Sequence, residues 1–594
     1  MPGGLLNLVA YGNQNIILNG NPSKTFFKTT YAKYTNFGLQ KFRIDFDGQR
    51  TLRMTDSSVF SFTVPRYGDL LMDTYLVVNM PHIWSPVYPP TTNYNSDVDT
   101  DNSTSVESGT GIDSSTGLPY ASSLWQPYNF KWIKNLGSQM IESVRFTVGG
   151  HVIQEFTGQY LYNMVERDFD NAKKDLFYKM TGNTPNMNDP ASLSSNGGYY
   201  PSAFHGGNSE DTDFKKGYNA AGSEPSIRAR SLYIPLNIWF TMAAKMAFPL
   251  VSLQYAELQI EVTIRPVQEL FTVNEIFTEP SQLYAPVPIQ PNFNQSQYGM
   301  YRFLQTPPGV DISKDSIYED RRTNWNADVH LVSTYAFLTD DEVRVFAGKP
   351  QEYLVRQVYS RTFKDVVGTK KLDINSLGLV SNYMWYFQRS DVNERNEWSN
   401  YTNWPYKILP NPAQVVGLNN TSPITIGHYN TYPGYTTGQS LQVGLKTTGI
   451  FSPENQKEVM SNWALLLDGK YRENDMPSGM WNYVEKYVRT SGNGQDGLYI
   501  YSFSLNTDPF DFQPNGAMNM SKFSTVQFEV KTMQPTLNAK ASFTTICEPA
   551  TGTVIGTEMP SRGIYDYTYD VVVLEERFNI LKFTNGMAGL EFAR

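Results

Sequence analysis

Leu232–Val262, LYIPLNIWFTMAAKMAFPLVSLQYAELQIEV, and Leu498–Val530, LYIYSFSLNTDPFDFQPNGAMNMSKFSTVQFEV, begin and end alike. Each opens on Leu-Tyr-Ile, and each closes on Gln-apolar-Glu-Val: Gln259, Ile260, Glu261, Val262 and then Gln527, Phe528, Glu529, Val530. The likeness continues upstream. VRFTV, a turn at Gly149 and Gly150 and a second strand lead into YLYNMVE; ALLLD, Gly469 and KYREN lead into WNYVEKYV. A single match of this kind carries little weight, but four landmarks in the same order argue for two copies of one β-domain.

The segments around these landmarks have the period of strands. In FGLQKFRIDF (37–46), Phe42, Ile44 and Phe46 share one face. Runs at 57–65, 74–81, 141–148, 151–156, 231–236 and 257–264 are short and rich in β-branched and aromatic residues. Only Gly158 to Phe169, with Leu161, Met164 and Val165 on one face, and Pro477 to Val488 read as helices. Composition agrees: 39 Tyr, 34 Phe and 10 Trp can fill sandwich cores, and 43 Gly with 35 Pro supply turns. The spacing predicts an all-β chain built from two tandem jelly rolls. Its expected parts are an N-terminal arm (1–25), a first jelly roll (26–265), an inter-domain connection (266–325) and a second jelly roll (326–594). Polar insertions interrupt the first at 85–125 and 181–228 and the second at 390–458. Trp398, Tyr401, Trp404 and Tyr406 predict that the last insertion is an ordered excursion with a small core.

Charge and cysteine usage exclude several roles. With 48 Lys and Arg against 57 Asp and Glu, the net charge of -9 argues against direct nucleic-acid binding, which needs a cationic surplus. The lone Cys547 excludes a disulfide framework within the chain and fits a reducing compartment. MPGGLLNLVAYGNQ lacks a basic n-region and a long apolar core, so no signal peptide is expected. Trp239 to Leu253, interrupted by Lys245 and Pro249, makes a poor membrane span.

No catalytic constellation emerges, and no catalytic, cofactor-binding or metal residue is expected. Gly492, Gly494 and Gly497 have dinucleotide-loop spacing but stand between a helix and a strand, the reverse of the required order; a Gly-rich turn is the better reading. Asp97, Asp99 and Asp101 begin like a calcium loop, yet Asn102 and Ser108 stand where its Gly and bidentate Glu belong. His82, His151, His205, His330 and His428 are scattered, and Gly348-Lys349 and Gly469-Lys470 lack the upstream Gly of a phosphate loop. Asp69 and Asp73 read as turn and strand-start residues rather than a glycosidase pair. Asn-x-Ser/Thr occurs at Asn102, Asn294, Asn400, Asn419, Asn420 and Asn519, and all but the last fall in long polar stretches, making them the candidate glycosylation sites.

The sequence resembles the double jelly-roll major capsid proteins of large icosahedral DNA viruses, of the mimivirus and chlorovirus type. The resemblance lies in GGLLNLVAYGNQNIILNGNPSKTFFKTTYAKYTNF (Gly3 to Phe37), RYGDLLMD (Arg66 to Asp73), the Leu232–Val262 and Leu498–Val530 stretches, STYAFLTDDEVRVFAGKPQEYLVRQV (Ser333 to Val358) and the terminal NILKFTNGMAGLEF. It implies two tandem eight-stranded jelly rolls with long outward loop insertions and a few short helices. It also implies a non-enzymatic major capsid protein forming homotrimeric, pseudo-hexagonal capsomers in the outer shell of the virion. Further implications are synthesis in the host cytoplasm, minor capsid proteins as partners, and an underlying internal membrane that the chain does not span. By position, 85–125 would join the third and fourth strands of the first domain and 181–228 its sixth and seventh, rising outward while the arm runs beneath. The competing readings are a carbohydrate-binding or carbohydrate-active β-sandwich, using the loop aromatics, and a paralogous minor capsid or vertex protein.

Overall fold

The computed structural model describes residues 2–46, 48, 50–88, 126–196, 200–203, 224–276, 287–308, 315–407, 456–538, 544–549, 551–558 and 561–592. Asp97, Asp99, Asp101, Asn102, His205, Asn419, Asn420 and His428 lie outside these.

Counting only the strands of the two sandwiches, the first contains β1 (Gly38–Asp45), β2 (Ser58–Thr63), β3 (Leu70–Met80), β4 (Ile141–Val148), β5 (His151–Phe156), β6 (Arg230–Pro235), β7 (Leu258–Ile264) and β8 (His330–Phe337). The second contains β9 (Gln351–Val366), β10 (Thr369–Asp373), β11 (Leu379–Arg389), β12 (Met460–Leu467), β13 (Lys470–Pro477), β14 (Leu498–Ser502), β15 (Val526–Thr532) and β16 (Tyr569–Thr584). The first pairs as β1-β8-β3-β6 facing β2-β7-β4-β5, and the second as β9-β16-β11-β14 facing β10-β15-β12-β13. All these pairings are antiparallel, and the two orders are the same once each number in the second is reduced by eight. These are two jelly rolls in tandem.

Alternation explains why the strands form. On β7, Ile260 and Val262 point into the core while Glu261 faces out, 3.2 Å from Arg145 of β4. On β15, Phe528 and Val530 do the same, with Glu529 outward beside Lys371. The second core is built on aromatic contact, with Trp385 of β11 stacked on Trp463 of β12 at 4.7 Å and Phe528 edge-on to both. Between β5 and β6 stand two eleven-residue helices, α1 (Gly158–Asp168) and α2 (Asn171–Thr181). Thr157 and Asp170 cap them by accepting from the Tyr160 and Lys173 amides at 3.2 and 2.8 Å, and α2 stops at Gly182 with φ +77°. The matching place in the second jelly roll holds a π-helical turn, Met480–Val484, running into the α-helix Glu485–Arg489.

The pairing moves several expected boundaries. Gly38 is the first residue of β1, so the arm is longer than 1–25, and its apolar side chains, Leu5 through Phe37, are exposed. Residues 266–325 do not link the domains: Phe271, Val273, Tyr298, Met300, Phe303 and Tyr318 are buried in the first core. They belong to the long loop between β7 and β8. Since β8 pairs with both β1 and β3, the first jelly roll runs to Phe337 rather than 265, and the second begins at Gln351 rather than 326. The link is the segment carrying α3 (Asp340–Gly348). The misplacement has a topological cause: the eighth strand returns to pair beside the first only after a long excursion, so reading in chain order closes the domain too early. The 181–228 insertion likewise joins the fifth and sixth strands, not the sixth and seventh, and 85–125 lies between the third and fourth as expected. Among the longer helices of the described residues, α2 and α3 add to the two read from sequence.

Trp463→Ala should empty the centre of the second core and cost about 3–5 kcal/mol. Chemical denaturation followed by tryptophan fluorescence should show the midpoint falling with little change in slope.

Candidate functional site

The second jelly roll's β9-β16-β11-β14 sheet is buried on both faces. Tyr383, Trp385 and Val573 point into its own core, while Met384, Leu498 and Leu574 join the core of the first jelly roll. The seam between the two is therefore a continuation of the first core, and α1 lies in it.

At the centre of the seam is a polar network with no exposed side chain among its main members. Arg167 of α1 donates to Asp168 at 2.7 Å, to Glu576 of β16 at 2.8 Å and to Asn382 of β11 at 3.0 Å. Asn382 in turn donates to Glu576 at 2.9 Å, and so does the Tyr160 hydroxyl. Arg356 of β9 stands 3.5 Å from the second Glu576 oxygen and donates to the Thr507 carbonyl at 3.0 Å. Two guanidiniums thus face two carboxylates, and the buried cluster is formally neutral. Burial disfavours charge on Arg167, but Asp168 and Glu576 outweigh it and raise its pKa above the ordinary arginine value. Burial pushes the Asp168 carboxyl up against the pull of Arg167. It pushes on Glu576 too, yet Arg167 and Arg356, with hydrogen bonds from Asn382 and Tyr160, hold that carboxyl below the usual glutamate range.

The Gly-rich turn completes the seam. Gly492 and Gly494 donate their amides to the carbonyls of Arg167 and Glu166 at 2.8 and 2.7 Å, capping α1 from the other jelly roll. A Cβ on Gly492 would sit 2.6 Å from both carbonyl oxygens, so only glycine allows this approach. Beside it Lys486 donates to Asn482 and to the Gln495 carbonyl at 2.9 and 2.8 Å, and burial lowers its pKa to about 8. Gly497, at φ +84°, backs onto Tyr401, whose ring stacks on Tyr386 at 4.1 Å and whose hydroxyl donates to Asn163 of α1 at 3.0 Å.

The described part of the 390–458 insertion is a wedge in this seam. Asn396 donates to the Gln268 and Phe271 carbonyls at 2.8 Å, the Trp398 indole to Glu269 at 3.0 Å and the Tyr406 hydroxyl to Pro288 at 2.8 Å. Burial raises Asp391, but Arg389 and Arg395 more than offset it and hold its carboxyl at about 2. Tyr401 and Tyr406 are buried, and Trp398 and Trp404 half-buried, so these aromatics brace two domains and form no exposed sugar platform. Asn400 is corrected for the same reason. Its side chain is buried, its amide donates to the Trp404 carbonyl at 2.8 Å, and its oxygen accepts from Thr402, leaving no access for a glycan. Asn294 is exposed; the Asn519 oxygen accepts from the Ser521 amide at 3.1 Å. Asp69 accepts from the Leu338 amide at 2.9 Å, and half-buried Asp73 faces Lys41. His82 accepts from the Ala229 amide at 3.0 Å.

Two family models match almost end to end: "Major capsid protein N-terminus" over residues 25–305 and "Large eukaryotic DNA virus major capsid protein" over 342–589. The chain belongs to the major capsid protein family of large eukaryotic DNA viruses. Its relatives include the major capsid proteins of Chrysochromulina ericina virus (24% identical) and Paramecium bursaria Chlorella virus 1 (22% identical), in each case over the whole of both chains. Probable capsid protein 4 of Acanthamoeba polyphaga mimivirus is 22% identical over 89% of this chain and 93% of its own. In fold the capsid protein is similar to PBCV-1 VP54 (TM-score 0.56, 17% identity, 96% of this chain and all of that one). It is also similar to the Faustovirus major capsid protein (TM-score 0.55, 12% identity, 94% and 93%). In this capsid protein the seam fixes one lobe against the other.

Sequence reading missed the network, because Arg167, Glu576, Asn382 and Arg356 are far apart in the chain and in no motif. Charged residues inside the period of α1, and the run Glu575-Glu576-Arg577 in the middle of β16, were the available signal. Glu576→Gln and Arg167→Met should each cost about 3–5 kcal/mol, since each leaves a buried charge uncompensated. The double variant should cost less than the sum, as a double-mutant cycle in denaturant would record.

Proposed function

We propose that this capsid protein closes into a homotrimer whose six similar lobes form a pseudo-hexagonal block, and that such blocks tile the outer shell of the virion. The observation that carries this reading is the repeated strand order of two jelly rolls held side by side by a buried neutral network. One rigid chain then offers two near-equivalent lobes, and three of them around an axis close a six-lobed ring. Its contribution is geometric, without an enzymatic step. Light scattering on the native protein should give three times the 67.4 kDa chain mass. A stable monomer would overturn the trimer.

The same reading makes neighbouring capsomers and minor capsid proteins the partners, with an internal membrane lying beneath and not spanned, and places synthesis in the host cytoplasm. The exposed arm supports contacts below the block: it carries three Lys, Lys24, Lys28 and Lys33, and no Asp or Glu. Glycan attachment remains a proposal for exposed Asn294, and for Asn102, Asn419 and Asn420 beyond the described residues. The intact mass of particle-derived protein should exceed that of the polypeptide, with Asn294→Gln removing one increment; the bare mass would exclude attachment.

A further inference from the structure

The two jelly rolls differ in what covers their matching surfaces. In the first, α1 is buried along almost its whole length, because its outer side lies on the β9-β16-β11-β14 sheet of the second. In the second, the corresponding helix, 480–489, turns Trp481, Asn482 and Lys486 inward and leaves Met480, Tyr483, Val484, Tyr487 and Val488 in solvent. These five follow i, i+3, i+4, i+7, i+8, the spacing of a packing stripe, and Tyr487 is 91% exposed. A continuous apolar stripe of this kind marks a contact surface rather than ordinary scatter.

The sheets show the reciprocal difference. The outer side of β14 buries Leu498 under the first jelly roll. On the first jelly roll's sheet, the outer rows run Arg43–Val332–Tyr75 and Asp45–His330–Val77–Tyr233 across paired strands. There Arg43, Asp45 and Tyr233 are exposed, Tyr75 and Val332 are half-buried, and His330 and Val77 in the middle of the second row are buried. One chain therefore holds one filled helix-on-sheet contact together with an unfilled helix and a sheet whose outer face is exposed along its β1 and β6 margins.

We propose that the helix 480–489 docks through this stripe on the outer face of the β1-β8-β3-β6 sheet of a second copy of the chain, repeating between chains the contact that α1 makes within one. This rests on the trimer reading and assigns it residues. The occupant follows from the repeat: the surface that receives such a helix is a jelly-roll sheet, and the first jelly roll's sheet is the one that keeps exposed positions on its outer face. The contact is heterologous, each copy giving a helix and receiving one, and the trimer reading requires the rotation between copies at which such a contact closes as a ring.

The test is Tyr483→Glu combined with Tyr487→Glu, both at exposed positions, followed by light scattering and circular dichroism beside the unaltered protein. The expected result is a folded variant whose mass falls threefold from that of the unaltered trimer. A folded variant that stays trimeric overturns this inference and leaves the trimer standing; an unaltered protein that is itself monomeric overturns the trimer and this contact with it. Should the double variant misfold, Tyr487→p-benzoylphenylalanine decides. Ultraviolet cross-links between chains into β1, β3, β6 or β8 support the contact, and cross-links elsewhere, or none, overturn it.

Discussion

Burial of Arg167 against Glu576 is the constraint on which the rest of this molecule depends. A charge pair taken wholly out of water gains little net stability, because desolvation consumes most of the attraction. Its value lies in geometry. The Arg167 guanidinium has to meet Asp168, Glu576 and Asn382 together, and Glu576 has to meet Arg167, Arg356, Asn382 and Tyr160. An apolar seam would tolerate sliding by a residue or a few degrees of rotation. This one tolerates neither, since any displacement strands a buried charge. The angle between the lobes is thereby set within the chain, before any neighbour is met.

The backbone reinforces that choice. Gly492 and Gly494 cap a helix belonging to the other jelly roll, and the wedge from 392 to 407 ties its side-chain amides and indole to carbonyls of the β7–β8 loop. Side chains in the two cores can be exchanged for others of similar volume, whereas these carbonyls stay where they are whatever the side chains. The scaffold thus resists sequence drift where its geometry matters, in keeping with relatives near 22–24% identity that align over their whole length.

Much of the fold was legible because a sandwich writes itself in period two. Ile260, Val262, Phe528 and Val530 face the cores as their alternation requires, and β4, β5 and α1 fall where periodicity placed them. The repeat was legible in order but not wholly in register. Both Leu-Tyr-Ile motifs lie on the sixth strand of their jelly roll, yet Tyr233 faces outward while Tyr499 packs in the core beside Trp385. The sheets differ in what lies behind them, so the same three letters satisfy opposite faces. The seam was illegible for a related reason: its members come from α1, β9, β11 and β16, and no local pattern announces which buried charge will find which partner. The loop aromatics were legible as an ordered excursion, but their role as a brace shows only when the second domain is in place.

The position of β8 between β1 and β3 has a consequence for how the chain is made. Arg43 and Asp328, a bidentate pair at the end of this sheet, are 285 residues apart. At roughly 5–20 residues per second, a ribosome needs about 15–60 s to supply the missing strand after β1 has emerged. Throughout that interval β3 presents an unpaired edge, and the apolar residues of the first core lack their lid. The second sheet waits in turn, because one of its faces has nothing to lie on until the first is closed. Assembly of the single chain is therefore strictly sequential, and its most aggregation-prone moment falls in the middle of translation rather than at the end.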